Sequence, residues 1–144
     1  LMMATVAATV ANDGEQMTPY LVSRTLDPDL NEVSTTSKKV ARTPIDSATA
    51  KSLSSLMQTA VAEGTGTSAQ VAGVQVAGKT GTAETGTDSG PTTWFVGFAG
   101  TDINKPQIAL AVVLDGNAET EDGATGGKIA GPIAAQVIDA AVDQ

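Results

Sequence analysis

Three apolar runs rich in β-branched residues follow one another in the second half of this 144-residue chain. The connections between them are too short to hold a crossover helix. The first run opens with Val74 and Val76 alternating with Gln75; the second covers residues 94–100 (W-F-V-G-F-A-G); the third covers residues 107–115, with Ile108, Leu110, Val112, Val113 and Leu114. Period-two alternation and continuous apolar runs of this length predict strands. A parallel pair needs a connection of about a dozen residues or more, so the three runs predict an antiparallel meander. Residues 85–93 contain Gly86, Gly90 and Pro91, which predicts a loop rather than a tight hairpin turn.

Helical spacing brackets the meander. Residues 1–11 place Met2 or Met3, Val6, Ala7 and Val10 on one face, and Asn12, Asp13 and Gly14 end the segment, Gly14 being able to take the left-handed conformation. Residues 20–26 alternate and predict a strand with a largely apolar face. Asp27, Pro28 and Asp29 form a turn, and residues 31–40 return, giving a surface hairpin. Asp46 is an expected N-cap for a helix carrying Leu53, Leu56, Met57, Ala60 and Val61, which Gly64 ends. Residues 64–67 (G-T-G-T) then form a flexible link. The last helix, residues 129–142, presents Ile129, Ile133, Val137 and Ala141, with Pro132 in its first turn. The fold class expected is α+β, an antiparallel sheet with the N- and C-terminal helices packed on it.

Composition excludes several functions. The net charge is -8 and no basic cluster exceeds Lys38-Lys39, so nucleic acid is not an expected partner. The chain has no histidine and no cysteine, which removes imidazole acid–base chemistry, thiolate chemistry and disulfides. No metal and no cofactor is expected. Glu119, Glu121 and Asp122 cluster without the spacing of a calcium loop and read as a solvated turn. No run is long enough to span a membrane and no signal peptide is visible. The apolar start, with no charged leader, reads as a helix entered part-way, so a fragment of a longer protein is expected.

The chemistry lies in residues 74–84, V-Q-V-A-G-K-T-G-T-A-E. After the strand-like start the side chains shrink to Gly78, Gly81 and Ala83. Lys79, Thr80 and Thr82 stand among them. A strand that loses bulk lets another backbone approach. An ammonium and two hydroxyls suit an extended peptide that ends in a carboxylate. Residues 73–80 also satisfy G-x-x-x-x-G-K-[ST], the phosphate-binding loop, which needs a buried strand before it and a helix starting at the lysine. The segment before Gly73 is polar, and Gly81, Thr82 and Gly86 follow, so the context argues against it. The plain alternative is a solvated strand lysine between small residues.

Lys79-Thr80-Gly81 is also the Lys-Thr-Gly motif of penicillin-binding proteins and serine β-lactamases, whose context is a strand. The run G-K-T-G-T-A-E, the polar loop after it, the W-F-V-G-F-A-G strand and the upstream M-Q-T-A-V-A-E-G-T-G of residues 57–66 together resemble the transpeptidase domain of a class B penicillin-binding protein. The resemblance covers most of the chain. It implies a penicilloyl-serine-transferase fold and acyl transfer on peptidoglycan stem peptides, with β-lactam antibiotics acylating the same serine. In that scheme Lys79 supplies positive potential, Thr80 and Thr82 bind the substrate carboxylate, Gly81 keeps the strand edge open, and the backbone N–H of Thr82 is an oxyanion-hole donor. The implied setting is the extracytoplasmic face of the bacterial membrane, with the anchor outside this chain, in cell-wall synthesis serving cell division or cell shape.

One departure from the family pattern matters. The family's Ser-x-x-Lys and Ser-x-Asn motifs do not occur here; the nearest look-alikes, residues 35–38 and 36–39, lie in the polar hairpin. Residues 1–144 are therefore expected to be the C-terminal portion of one transpeptidase domain, completed by a nucleophile-bearing remainder. The other readings are a non-catalytic peptide- or carboxylate-binding module and a β-lactamase-like hydrolase. The 57–66 run and the W-F-V-G-F strand look more like transpeptidases.

Overall fold

The computed structural model describes residues 1–84, 90–116 and 124–142. The acidic cluster at Glu119, Glu121 and Asp122, and the part of the 85–93 loop that holds Gly86, lie outside those residues. Among them the order is α1 (Met2–Ala11), β1 (Gln16–Met17), β2 (Arg24–Leu26), β3 (Glu32–Thr35), β4 (Val40–Arg42), α2 (Ser47–Ala62), a single 3-10 turn (Thr67–Ala69), β5 (Gln75–Ala83), β6 (Thr92–Gly100), β7 (Ile108–Leu114) and α3 (Ala130–Ala141). No described helix is long and apolar enough to cross a membrane.

The meander forms as its short connections require. β5, β6 and β7 lie side by side in that order, both pairs antiparallel, with β5 on the edge. Pleating divides the side chains between two faces. Phe95, Val76, Ala99 and Leu110 point to one face and pack with Ala130, Ala134 and Ile138 of α3 and with Val61. Ala77 and Phe98 point to the other and pack with Ala7 of α1, with Met57 at the margin. Both phenylalanines are fully buried. In a chain this poor in aromatics they anchor one core each, and small residues fill the space between.

The helix ends follow local chemistry. Gly14 adopts φ +92°, and a side chain there would meet the backbone carbonyl of Ile45. Asp46 caps α2, accepting the Thr49 N–H at 2.7 Å. That bond, with further hydrogen bonding from Thr49, holds the Asp46 carboxyl below its ordinary pKa.

Four expectations need correction. Strand geometry in residues 20–26 is confined to Arg24–Leu26, and Tyr20, Leu21 and Val22 are exposed. No described element covers this arm, so its alternation marks no buried face. The return segment is two strands: β3 pairs with β2, whereas β4 pairs with β1, which adds a second small sheet. On α2, Ala50 and Val61 are buried and Met57 packs inward, but Leu56 faces solvent. On α3, the buried face is Ala130, Gly131, Ala134 and Ile138, one residue on from the expected stripe, and Ile133 and Val137 are exposed. The reason is close approach. A Cβ on Gly131 would overlap the Ser68 hydroxyl, so the small-residue face is the one that can reach the 3-10 turn.

Candidate functional site

Lys79, Thr80, Gly81 and Thr82 occupy the second half of β5 and pair with Val96, Phe95, Trp94 and Thr93 of β6. Among the described strands, their other side is the free edge of the sheet. No helix begins at Lys79, which removes the phosphate-loop reading, because that loop needs the lysine at a helix start.

The pleat sorts the four residues. Lys79 and Gly81 lie on the α1 face, and Thr80 and Thr82 on the α3 face. Lys79 is exposed, and its ammonium donates to the Thr80 carbonyl at 2.7 Å. Backbone groups of residues two apart point to the same side of a strand. The Thr82 N–H therefore shares the direction of the Thr80 carbonyl that the lysine reaches. Thr82 is exposed as a residue, and its hydroxyl accepts the Gly126 N–H at 3.2 Å. The Thr80 hydroxyl lies 2.6 Å from that of Thr65. On the Lys79 side, an almost wholly apolar groove of about 460 Å³ opens between α1, α2 and the sheet. Met3, Val6, Leu53, Met57 and Trp94 line it beside Lys79.

The two glycines of this strand have different causes. At Gly78 a Cβ would overlap the Phe95 ring, so the space that glycine leaves is taken by an aromatic side chain, not by a second backbone as the sequence suggested. At Gly81 a Cβ would lie 3.4 Å from Trp94 Cβ, an ordinary contact. Packing within the sheet therefore requires glycine at 78 and leaves room for a methyl at 81.

Reading the sequence left out the second layer of the site. Residues 64–67 are no loose link. Thr65 reaches β5, and Ser68 in the following 3-10 turn donates to the Gly127 carbonyl. The 57–66 run that carries part of the family resemblance includes Thr65, but no local signal gives these contacts, because the partners are brought in only by the fold. The carboxyls held below their ordinary range lie elsewhere: Asp27 by the Asn31 side-chain amide, Asp46 by Thr49, and Asp102 by the Asn104 N–H. Among the described residues no group of acidic side chains could hold a metal ion.

Residues 1–139 match the family model described as the penicillin binding protein transpeptidase domain. The peptidoglycan D,D-transpeptidase PbpA of Mycolicibacterium smegmatis is 41% identical over 145 residues, a match that covers 99% of this chain and 29% of that protein. Among solved structures, the ceftriaxone acyl-enzyme complex of penicillin-binding protein A from M. tuberculosis superposes with a TM-score of 0.83 at 40% identity, over 96% of this chain and 31% of that one. The D,D-transpeptidase domain of a peptidoglycan glycosyltransferase from Eggerthella lenta gives 0.77 at 33% identity, over 96% and 30%. The chain thus spans less than a third of the length of each of these relatives.

Proposed function

The chain belongs to the penicillin-binding-protein transpeptidase family, and from that premise we propose that it is the C-terminal portion of a peptidoglycan D,D-transpeptidase domain. Its role is to supply the Lys-Thr-Gly wall of the active-site cleft. The nucleophilic serine and its lysine come from polypeptide outside this sequence. That remainder packs on the apolar groove beside Lys79. The substrates are stem peptides ending in D-Ala-D-Ala, and β-lactams compete for the same serine. The reaction takes place at the outer face of the cell membrane.

The observation that carries this reading is the placement of Lys79, Thr80, Gly81 and Thr82 on the free edge of β5. An extended peptide laid along that edge would have an ammonium on one side and two hydroxyls on the other. Its terminal carboxylate is held by charge-assisted hydrogen bonds from Thr80 and Thr82. The serine oxygen adds to the penultimate carbonyl, and the Thr82 N–H donates to the oxygen that gains the negative charge. The C–N bond then breaks, D-Ala leaves with a proton on its amine, and an acyl-serine remains. A neighbouring stem's amine attacks that ester, forms the cross-link and returns the proton to the serine.

Labelling with a fluorescent penicillin tests the division of labour. The longer protein that carries this segment is expected to form a stoichiometric covalent adduct, and residues 1–144 alone to form none, because no serine here has a base placed beside it by motif. An adduct on the isolated chain, or none on the longer protein, would reject the proposal.

A further inference from the structure

We infer that Thr65 is a positioning residue that fixes the Thr80 hydroxyl for an anionic ligand at the β5 edge; this rests on the carboxylate-binding role proposed above for Thr80 and Thr82. The two hydroxyl oxygens are 2.6 Å apart, a short O–H···O distance in which either group can donate. Each hydroxyl has one proton. With no anion present the bond can run in either direction. A carboxylate at the edge draws the Thr80 proton to itself, and Thr65 must then be the donor to Thr80. The result is a relay from Thr65 to Thr80 to carboxylate, in which donation into the Thr80 oxygen polarises its own O–H and strengthens the outer bond.

Thr82 provides the internal comparison. It lies on the same face two residues along, and its oxygen accepts from the Gly126 N–H, which can only donate. The Thr82 proton is thereby left for another acceptor. Thr65 does for Thr80 what the Gly126 amide does for Thr82. Both supports are fixed by surrounding backbone. The Gly66 N–H bonds the Ala60 carbonyl at 2.9 Å at the end of α2. Ser68 donates to the Gly127 carbonyl, and a side chain at 127 would overlap the Thr65 carbonyl. A side chain at 126 would overlap the backbone of Gly81 and Trp94. Three segments distant in sequence therefore hold the Thr65 hydroxyl against the strand before any ligand arrives.

The test compares acylation of the longer protein by penicillin and by the same penicillin with its carboxylate esterified. Thr65→Val is expected to slow acylation by the free acid about threefold to tenfold, the scale of one neutral hydrogen bond, and to leave the slow reaction of the ester unchanged. Thr65→Ser is expected to restore the rate. Thr65→Val combined with Thr80→Val is expected to be no slower than Thr80→Val alone, because Thr65 acts through Thr80. A wild-type rate for Thr65→Val beside a slowed Thr80→Val would overturn the positioning role while leaving the Lys-Thr-Gly reading intact. Equal slowing of acid and ester would overturn it in favour of a purely structural role. Unchanged rates for both Thr80→Val and Thr82→Val would remove the underlying reading itself, and this inference with it.

Discussion

Lys79→Ala in the longer protein is expected to slow acylation by penicillin more than about a hundredfold and to leave the thermal midpoint nearly unchanged. The rate effect has two sources. The first is orientation: the ammonium's bond to the Thr80 carbonyl holds the backbone that presents the two hydroxyls, and losing one bond of that charged kind, about 1.5–3 kcal/mol, is alone roughly a tenfold to hundredfold change in rate. The rest is potential. The chain has 16 acidic residues against 8 basic ones, so a carboxylate approaches a body of its own sign. Lys79 is the positive side chain on the edge that the ligand must reach. Interactions that hold the peptide against the oxyanion donor count more at the transition state than in loose encounter. Stability is spared because Lys79 is exposed and the partner its ammonium meets is a carbonyl of its own strand. A labelling rate within twofold of wild type would separate Lys79 from the chemistry.

The largest effect on folding is expected at Gly78. Its missing side chain is the space into which the Phe95 ring fits, and Phe95 is fully buried in the core under α3. Gly78→Ala forces that ring aside at a cost of about 1–3 kcal/mol, the usual range for overpacking. Gly78→Val approaches the roughly 3–5 kcal/mol of losing a core phenylalanine. Gly81→Ala, three residues along the same strand, puts a methyl at ordinary distance from Trp94 and is expected to cost far less. Urea unfolding of the two alanine variants side by side checks this: a lower midpoint for Gly78→Ala, with Gly81→Ala close to wild type. Equal midpoints would mean that Phe95 has another place to go.

The sheet was legible because two independent constraints agreed. Alternation identified strands, and the short connections admitted one topology. The position of Lys79 to Thr82 followed, since the first strand of a three-strand meander is an edge. The Asp46 cap was legible because capping is local. What failed were inferences about faces. Ile129, Ile133 and Val137 satisfy helical spacing as well as Ala130, Ala134 and Ile138 do, and bulk favoured the wrong set. The deciding fact, that Gly131 must pass the Ser68 hydroxyl, is a contact between residues far apart in the chain. Tyr20 and Val22 alternate correctly in an arm that no described element covers, and exposure is not encoded in alternation. In the sequence Gly78 reads as an opening for a second backbone, because the Phe95 ring that fills it becomes visible only when Gly78 is set opposite Gly97. Thr65 sits in a glycine-rich connection whose composition suggests a loose link, and its meeting with Thr80 exists only in the folded chain.

The central claim is that this strand edge binds a carboxylate during acyl transfer, and Thr82→Val tests it most directly. Valine keeps the shape and the backbone N–H of Thr82 while deleting its hydroxyl, and an exposed edge position tolerates a β-branched replacement. The measurement is the second-order rate of acylation by penicillin of the longer protein, wild type and variant, taken beside each thermal unfolding midpoint. The expected rate is lower by about tenfold to a hundredfold, from one lost charged hydrogen bond of ~1.5–3 kcal/mol, with the fold retained and the midpoint lowered modestly, because the variant also deprives the Gly126 N–H of the Thr82 oxygen. A wild-type rate with folding intact would contradict it and leave the Lys-Thr-Gly strand as a structural element alone.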